Sequence, residues 1–289
     1  MTELLADLLQ RDPAPRACDL DGWRAAHSAC QGSPFEVAVR GGLSADRVGF
    51  AFASGYQAAC RVLAPDAPPG WLLAVCATES GGNHPRSIAT QLSDGRLTGE
   101  KTFVSMGTAV RGLLVVASTG QQADGRNRLR IALVDAESDG VSLAEMPALP
   151  FIPEIPHAIL TLQGAAVRAV RPGDGYTDGL KPFRTIEDIH VNAALLSHLV
   201  AVGRRSDWAP ACIEALLAVI CALAPLASAD PSHPAVHRAL GGIDAQISSI
   251  ISGLDFSTAD PQTRQRWQRD APLLQIAGRT RAARLAAAR

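Results

Sequence analysis

The spacing of apolar residues changes character twice along the chain. At the start, Leu4, Leu5, Leu8 and Leu9 recur at helical intervals. Helical texture continues in Phe35-Glu36-Val37-Ala38 and through a long apolar run over residues 46–64. Ser44 and Asp46 read as helix starts, and Pro65-Asp66-Ala67-Pro68-Pro69-Gly70 as a stop. From residue 71 to about 170 the runs become short and apolar or alternating: LLAVCAT, GRLTGEKTFVSM, GLLVVAST, LRIALVDA and AILTLQ. Gly, Asp and Pro separate them, which predicts the strands of a β-domain. Ser93-Asp94-Gly95 and Ala123-Asp124-Gly125 read as hairpin turns. After Gly175 the helical pattern returns over 185–204, 208–226, 235–253 and 263–289, punctuated by Pro231, Pro234 and Gly241-Gly242. The chain shows no internal repeat.

Helices, then strands, then helices in separate blocks predict an α+β protein in several layers. The boundaries fall at 1–70 for an N-terminal helical region, 71–178 for a middle β-domain and 179–289 for a C-terminal helical bundle. With 47% hydrophobic and 19% charged residues, the 289-residue chain is long and apolar enough to bury a sizeable core. Its net charge of −1 removes any global electrostatic case for nucleic acid or an anionic membrane. The most apolar stretch, 208–227, contains Pro210, Glu214 and Pro225, and reads as a buried bundle helix and not a membrane span. Cys18, Cys30, Cys60, Cys76, Cys212 and Cys221 form no CxxC pair and no zinc spacing. They read as reduced core residues, with no metal site. The first residues, MTELLADLLQRD, lack the basic and apolar regions of a signal peptide. A cytoplasmic location is expected.

Candidate chemistry begins with a break in the last helix. Ala277-Gly278-Arg279 interrupts good helix-forming sequence, although glycine inside a helix costs roughly 1 kcal/mol relative to alanine. Three earlier stretches give the break a context. Ala77-Thr78-Glu79-Ser80-Gly81-Gly82-Asn83-His84 resembles the T-E-P-G-x-G-S-D loop of acyl-CoA dehydrogenases. The stretch from Leu97-Thr98-Gly99-Glu100-Lys101 to Gly107 resembles the family's L-x-G-x-K-x-[WF]-I-[TS]-N-G. Gly173-Asp174-Gly175-Tyr176 resembles its G-x-G-[FY] turn. The close, from Arg269-Asp270-Ala271 to Ala288, is similar to the family's R-D-A-x-x-x-x-I-Y-E-G-T ending with its following arginines. The four matches keep their order and cover roughly residues 45–289.

The resemblance implies N-terminal helices, a β-barrel-like middle domain and a C-terminal four-helix bundle, with FAD as cofactor and an acyl-CoA thioester as substrate. In the family's reaction a glutamate removes the α-proton while the β-hydrogen leaves as hydride to the flavin, whose redox chemistry the protein orients. Carried over by position, Thr78 and its backbone neighbour Ala77 hold the flavin's pyrimidine edge. Phe103 packs on the isoalloxazine, Ser105 contacts it near N5, and Thr280 is a further cofactor contact. His84 stands where a serine serves the FAD pyrophosphate and the acyl-CoA; an imidazole N–H can donate to phosphate in its place. Taken alone, Thr78 is equally a strand-end residue and Phe103 a core aromatic.

Gly278 falls where the family usually has its catalytic glutamate, so it is expected to offer substrate only its backbone. Isovaleryl-CoA dehydrogenase-like members carry the base at the start of the bundle's first helix, in L-E-R-L-V-L-A-G-G. Ile186-Glu187-Asp188-Ile189-His190 aligns there and makes Glu187 the candidate base. Asp188 beside it would raise the pKa of Glu187 by carboxylate pairing. The alternative is that Thr185, Glu187 and Asp188 are first-turn acids and a cap. His190 is either structural or a base or its partner. The segment with the family's Q-x-x-G-G-x-G-type motif has no counterpart, and the N-terminal helices are short.

Arginines 264, 266, 269, 279, 281, 284 and 289 are either phosphate ligands for CoA or FAD or a solvated helix face. They lack the interleaved aromatics of a nucleic-acid site. Two functions remain open: an FAD-dependent acyl-CoA dehydrogenase with Glu187 as base, and a non-catalytic member acting as partner subunit of a heteromeric dehydrogenase or as an acyl-CoA binding protein. Both imply a homo- or hetero-oligomer through the bundle, where Ala193-Ala194-Leu195-Leu196 needs cover.

Overall fold

The computed structural model describes residues 1–12, 14–15 and 19–289, apart from the side chain of Gln275. Cys18 lies outside the described residues. The other five cysteines are free thiols, and burial pushes Cys76 up to about 12. The chain divides into two compact units: Met1–Ala59 with Leu149–Glu154 and Thr185–Arg289, and Cys60–Ala148 with Ile155–Arg184.

The first unit is helical. It opens with α1 (Thr2–Gln10), α2 (Leu20–Ala29), α3 (Pro34–Ser44) and α4 (Val48–Leu63). Ser33 starts α3 with a full capping box to Glu36, a signal that the apolar pattern alone did not expose. Ser44 closes α3 instead of opening a helix. Asp46 binds Arg47 and Arg266.

The second unit is an eight-stranded mixed sheet. Its strands are β1 (Leu73–Cys76), β2 (Gln91–Ser93), β3 (Arg96–Ser105), β4 (Gly112–Gln121), β5 (Asn127–Asp135), β6 (Val141–Glu145), β7 (His157–Ala166) and β8 (Ala169–Val170). Pairing follows β6-β7-β3-β2-β4-β5-β8, with β1 parallel to β4. Both expected hairpins form. Asp94 and Gly95 take positive φ between β2 and β3, as a two-residue hairpin turn demands, and Gly125 does so between β4 and β5. After β8, Asp174 caps a π-helical turn, Gly175–Leu180, by accepting from the N–H groups of Tyr176 and Thr177.

That turn runs straight into α5 (Lys181–Arg205). The helix therefore starts four residues before Thr185. Glu187 and Asp188 lie in its second turn, which overturns the reading of this stretch as a first-turn cap. The remaining helices are α6 (Pro210–Leu226), α7 (Pro234–Ser252), α8 (Pro261–Asp270) and α9 (Gly278–Ala288), with a 3₁₀ turn, Ala271–Gln275, before α9. Three of these open on proline, whose missing N–H costs nothing at the first helical position. No helix among the described residues is long and apolar enough to cross a membrane.

Helix α5 runs through the core of the first unit. Ile189, Ala193, Leu196 and Val200 pack with Leu4 and Leu8 of α1, Val39 and Leu43 of α3, and Leu216 and Ile220 of α6. The run 193–196, read from sequence as an oligomerisation face, is buried here by the chain's own helices. Ala194 packs against Ala38 and Ala58. Glycine lets the backbones meet: a Cβ on Gly55 of α4 would lie 2.5 Å from Cα of Val191. Such overlap forces α4 and α5 apart.

His198 on α5 is buried, with Nδ1 3.1 Å from the Ala45 carbonyl. Burial, helped by Arg205, pushes its pKa down to about 4. A base with a depressed folded pKa binds more protons when unfolded. Its contribution is present above the unfolded value near 6.5 and is lost as pH falls from there toward 4, in total about 3 kcal/mol. Urea unfolding at pH 7 and pH 4.5 should show this loss, and His198→Gln should flatten the slope. An unchanged slope in the variant would assign the acid sensitivity to other groups.

Candidate active site

In the second unit, two of the matched motifs are joined by a buried ion pair. Lys101 Nζ, fully buried, lies 2.6 Å from Glu79 Oε1. The same carboxylate accepts from the N–H groups of Ala89 and Thr90 and from the Thr90 hydroxyl. Burial pushes the Glu79 carboxyl up, but Lys101 and those donors outweigh it and hold the pKa below its ordinary value. Burial lowers Lys101 against the pull of Glu79. Sequence reading passed over this pair, although both residues stand in the motifs it singled out. A backbone bond adds to it, the Thr102 N–H donating to the Thr78 carbonyl at 2.8 Å.

This clamp sits beside Phe103, which takes φ 55° at a bulge between β3 and β7. A bulky residue in the left-handed region costs of order 1–3 kcal/mol and persists only where its surroundings impose it. The ring is half exposed, so the strain wins no core burial. Phe103 is therefore not the core aromatic that its sequence alone allowed. Ala77 is buried just after β1, and Thr78 and Ser105 are half-buried. His84 is exposed and caps the short 3₁₀ turn Pro85–Ser87, with Nδ1 accepting from the Arg86 N–H. In the neutral ring the proton is then on Nε2. An outward aromatic on a strained backbone, clamped next to Thr78, fits a planar cofactor such as the flavin of FAD.

In the first unit, positions 187, 188, 191, 192 and 195 share one face of α5. They line a cavity of about 150 Å³ with Phe52, Leu273, Leu274, Ile276, Ala277 and Arg281. Glu187 thus shares a cavity with the residues just ahead of Gly278. Gly278 itself opens α9, is exposed, and lines a neighbouring cleft of about 330 Å³ with His237 and Asp244. A Cβ built on Gly278 would meet nothing within 4 Å. Thr280 is exposed in the first turn of α9, away from the lining of the Glu187 cavity.

Asp188 does not form an acid pair with Glu187. Arg281 holds it at 3.0 Å and Arg284 binds its other oxygen. Its charge is already matched, so the pairing argument for Glu187 falls. Arg284 also reaches the Thr185 hydroxyl, and Arg281 the Leu274 carbonyl. Arg266 binds Asp46, and Arg269 binds Glu154 and Asp270. Four arginines of the C-terminal cluster are therefore committed to internal acids, not held out as a solvated face. His190 is buried, with Nδ1 2.7 Å from the Ile186 carbonyl and its ring edge-on to Phe35, which makes it a structural histidine. Asn192, which sequence reading did not single out, is 2% exposed, and its Nδ2 has no hydrogen-bond partner among the described residues. An unpaired buried amide donor costs about 1–3 kcal/mol.

No family model and no curated protein matches the sequence. Solved structures do match. PigA with FAD and proline aligns at 10% identity over 99% of this chain and 95% of that one, with a TM-score of 0.73. Butyryl-CoA dehydrogenase from Megasphaera elsdenii aligns at 14% identity over 99% and 96%, with a TM-score of 0.67. The prolyl acyl carrier protein oxidase AnaB aligns at 13% identity over 99% and 96%, with a TM-score of 0.66. N-terminal helices, a mixed sheet and C-terminal helices in this order are common ground with these proteins, and the chain has the acyl-CoA dehydrogenase fold.

Proposed function

We propose that this chain is an FAD-dependent dehydrogenase that introduces an α,β double bond into an acyl-CoA thioester. The observation that carries the reading is the cavity in which Glu187 of α5 lies with Ile276 and Ala277. Glu187 stands at one of the two places where proteins with such motifs hold their base, and the other, Gly278, bears no carboxylate. Bound FAD would supply the two-electron acceptor. Glu187 would take the proton from the substrate α-carbon. Phe103 would support the flavin ring, with Ala77, Thr78 and Ser105 around it and Thr280 as a further contact. The Nε2–H of His84 would donate to a phosphate. Gly278 would offer its backbone N–H to the thioester. The apolar walls at Phe52, Val191 and Leu195 suit an acyl chain.

The purified protein, reconstituted with FAD, should oxidise a short acyl-CoA on its own in the presence of an artificial electron acceptor. A second reading is favoured by one observation, the glycine at position 278: the chain is then a non-catalytic subunit or acyl-CoA binder. That reading predicts no turnover by the pure protein and a stable complex with a glutamate-bearing partner.

Phe103→Gly probes the cofactor side. Glycine accepts the positive φ freely, so stability should hold or rise by about 1 kcal/mol. Loss of the ring should weaken FAD binding by roughly 10- to 100-fold, on the scale of one aromatic stacking contact. Thermal melting and flavin titration read the two effects separately. Unchanged FAD affinity would remove Phe103 from the cofactor site.

A further inference from the structure

Helices α7 and α9 leave between them the cleft of about 330 Å³ that Gly278 helps to line. Positions 237, 240, 241, 244 and 248 of α7 recur at helical spacing and share one face, and 278, 281, 282 and 285 of α9 do the same. Most of the lining is apolar or already engaged. Leu240, Leu274 and Leu285 supply the apolar part. Arg281 and Arg284 are directed to Asp188, and the Ser248 hydroxyl to the Asp244 carbonyl. The Asp244 carboxylate is different. It is half-buried, yet no hydrogen bond or ion pair reaches it among the described residues. Asp46, Glu154, Asp188 and Asp270 of the same unit, by contrast, each hold an arginine. The Asp244 oxygens are not among the unpartnered polar atoms sealed from solvent, as Asn192 Nδ2 is, so they remain open to a ligand. Burial pushes the Asp244 pKa above its ordinary value, against the pull of Arg281 and Arg284. His237 adds a second acceptor. Its Nε2 lies 2.9 Å from the Pro231 carbonyl and donates to it, which leaves Nδ1 of the neutral ring to accept. Arg281 and Arg284 stand among three carboxylates, Asp188, Glu187 and Asp244, so the group keeps one negative charge unmatched.

We propose that the cleft between α7 and α9 is a binding site for an organic ammonium group, held by the Asp244 carboxylate, with its carbon skeleton against Leu240, Leu274 and Leu285. A neutral ligand would strip water from the carboxylate and leave it unpaired. An ammonium meets it with charge-assisted hydrogen bonds. The volume holds roughly eleven water-sized groups, so a small amine fits whole. The ammonium belongs either to a free amine or to an aminoacyl thioester. The second source rests on the dehydrogenase reading, and the site itself does not.

The test uses the purified full chain and two small probes, butylammonium and 1-butanol, which differ by an ammonium in place of a hydroxyl. Ligand-observed NMR titration gives their affinities. Butylammonium should bind about 10- to 100-fold more tightly. Asp244→Asn keeps the shape without the charge and should remove that preference while leaving butanol binding unchanged. Asp244→Glu should keep butylammonium ahead. Equal affinities in the parent, or undiminished butylammonium binding by Asp244→Asn, would overturn the proposal. So would an Asp244→Asn protein that melts lower and loses both probes alike, because a structural carboxylate behaves in that way. Calorimetry with 4-aminobutyryl-CoA and valeryl-CoA, which differ by an ammonium in place of a methyl, separates the two sources. A preference for the first that Asp244→Asn removes assigns the ammonium to the acyl group. Equal affinities for the esters beside Asp244-dependent butylammonium binding assign it to a free amine. Ammonium binding without turnover of any acyl-CoA by the FAD-reconstituted chain would leave this site standing and remove the dehydrogenase. Turnover without ammonium binding would do the reverse.

Discussion

Glu187→Gln should lower acyl-CoA turnover by about 10²–10⁴-fold while FAD stays bound. The amide keeps the size and shape of the side chain but cannot take a proton from carbon. Substrate affinity should change little, so the loss belongs in kcat more than in KM. Phe103 and Thr78 stand on a different unit of the chain, and the flavin spectrum should therefore be that of the parent. Adding Gly278→Glu tests the other place for a base. The substitution is sterically free, since a Cβ there meets nothing within 4 Å. Gly278 lines the neighbouring cleft and not the Glu187 cavity, so little rescue is expected. Normal turnover by Glu187→Gln would remove this residue from the chemistry.

Asp270→Ala should destabilise the first unit by about 3–5 kcal/mol, a large part of the 5–15 kcal/mol that typically holds a domain. Asp270 is fully buried. It accepts from the Ile152 N–H at 2.8 Å and from Arg269 at 2.7 Å and 2.8 Å, and Arg269 in turn binds Glu154. Ile152 takes φ 42°, a strained conformation for a β-branched residue, and the bond from its N–H to Asp270 helps to hold it there. Alanine would leave a buried N–H without an acceptor and a guanidinium without part of its charge partner. Asp270→Asn keeps an acceptor for Ile152 and should cost less. Denaturant unfolding of the three proteins measures the difference. Equal stabilities for the parent and the alanine variant would contradict this role.

The Asp270 result bears on how much could be read from the sequence. The R-D-A at 269–271 was legible as a motif, but its role depends on Ile152, more than a hundred residues away, and no local pattern encodes that contact. Blocks of helix and strand were legible because their apolar periods differ, as were the hairpin at Asp94-Gly95 and the break before Gly278. The start of α5 was not. Thr185-Ile186-Glu187-Asp188 has the composition of a capped first turn, but Asp174 begins the turn upstream and carries it into the helix. Arg281 and Arg284 were visible as a cationic run, while their acceptor, Asp188, lies on another helix. Gly241 likewise faces a contact that the sequence concealed: a Cβ there would meet the Leu285 side chain of α9 at 2.8 Å, whereas one on Gly242 would meet nothing within 4 Å. Asn192 carried no signal, because an asparagine becomes informative only once its burial and its missing partner are known.

The visible absorbance spectrum of the purified full chain, recorded after excess FAD has been added and the unbound portion removed, is the most direct single test. Retained flavin bands that bleach when a short acyl-CoA is added under anaerobic conditions are the predicted result. A colourless protein after reconstitution, or a bound flavin that no acyl-CoA bleaches, would contradict the dehydrogenase and turn the search toward a catalytic partner subunit.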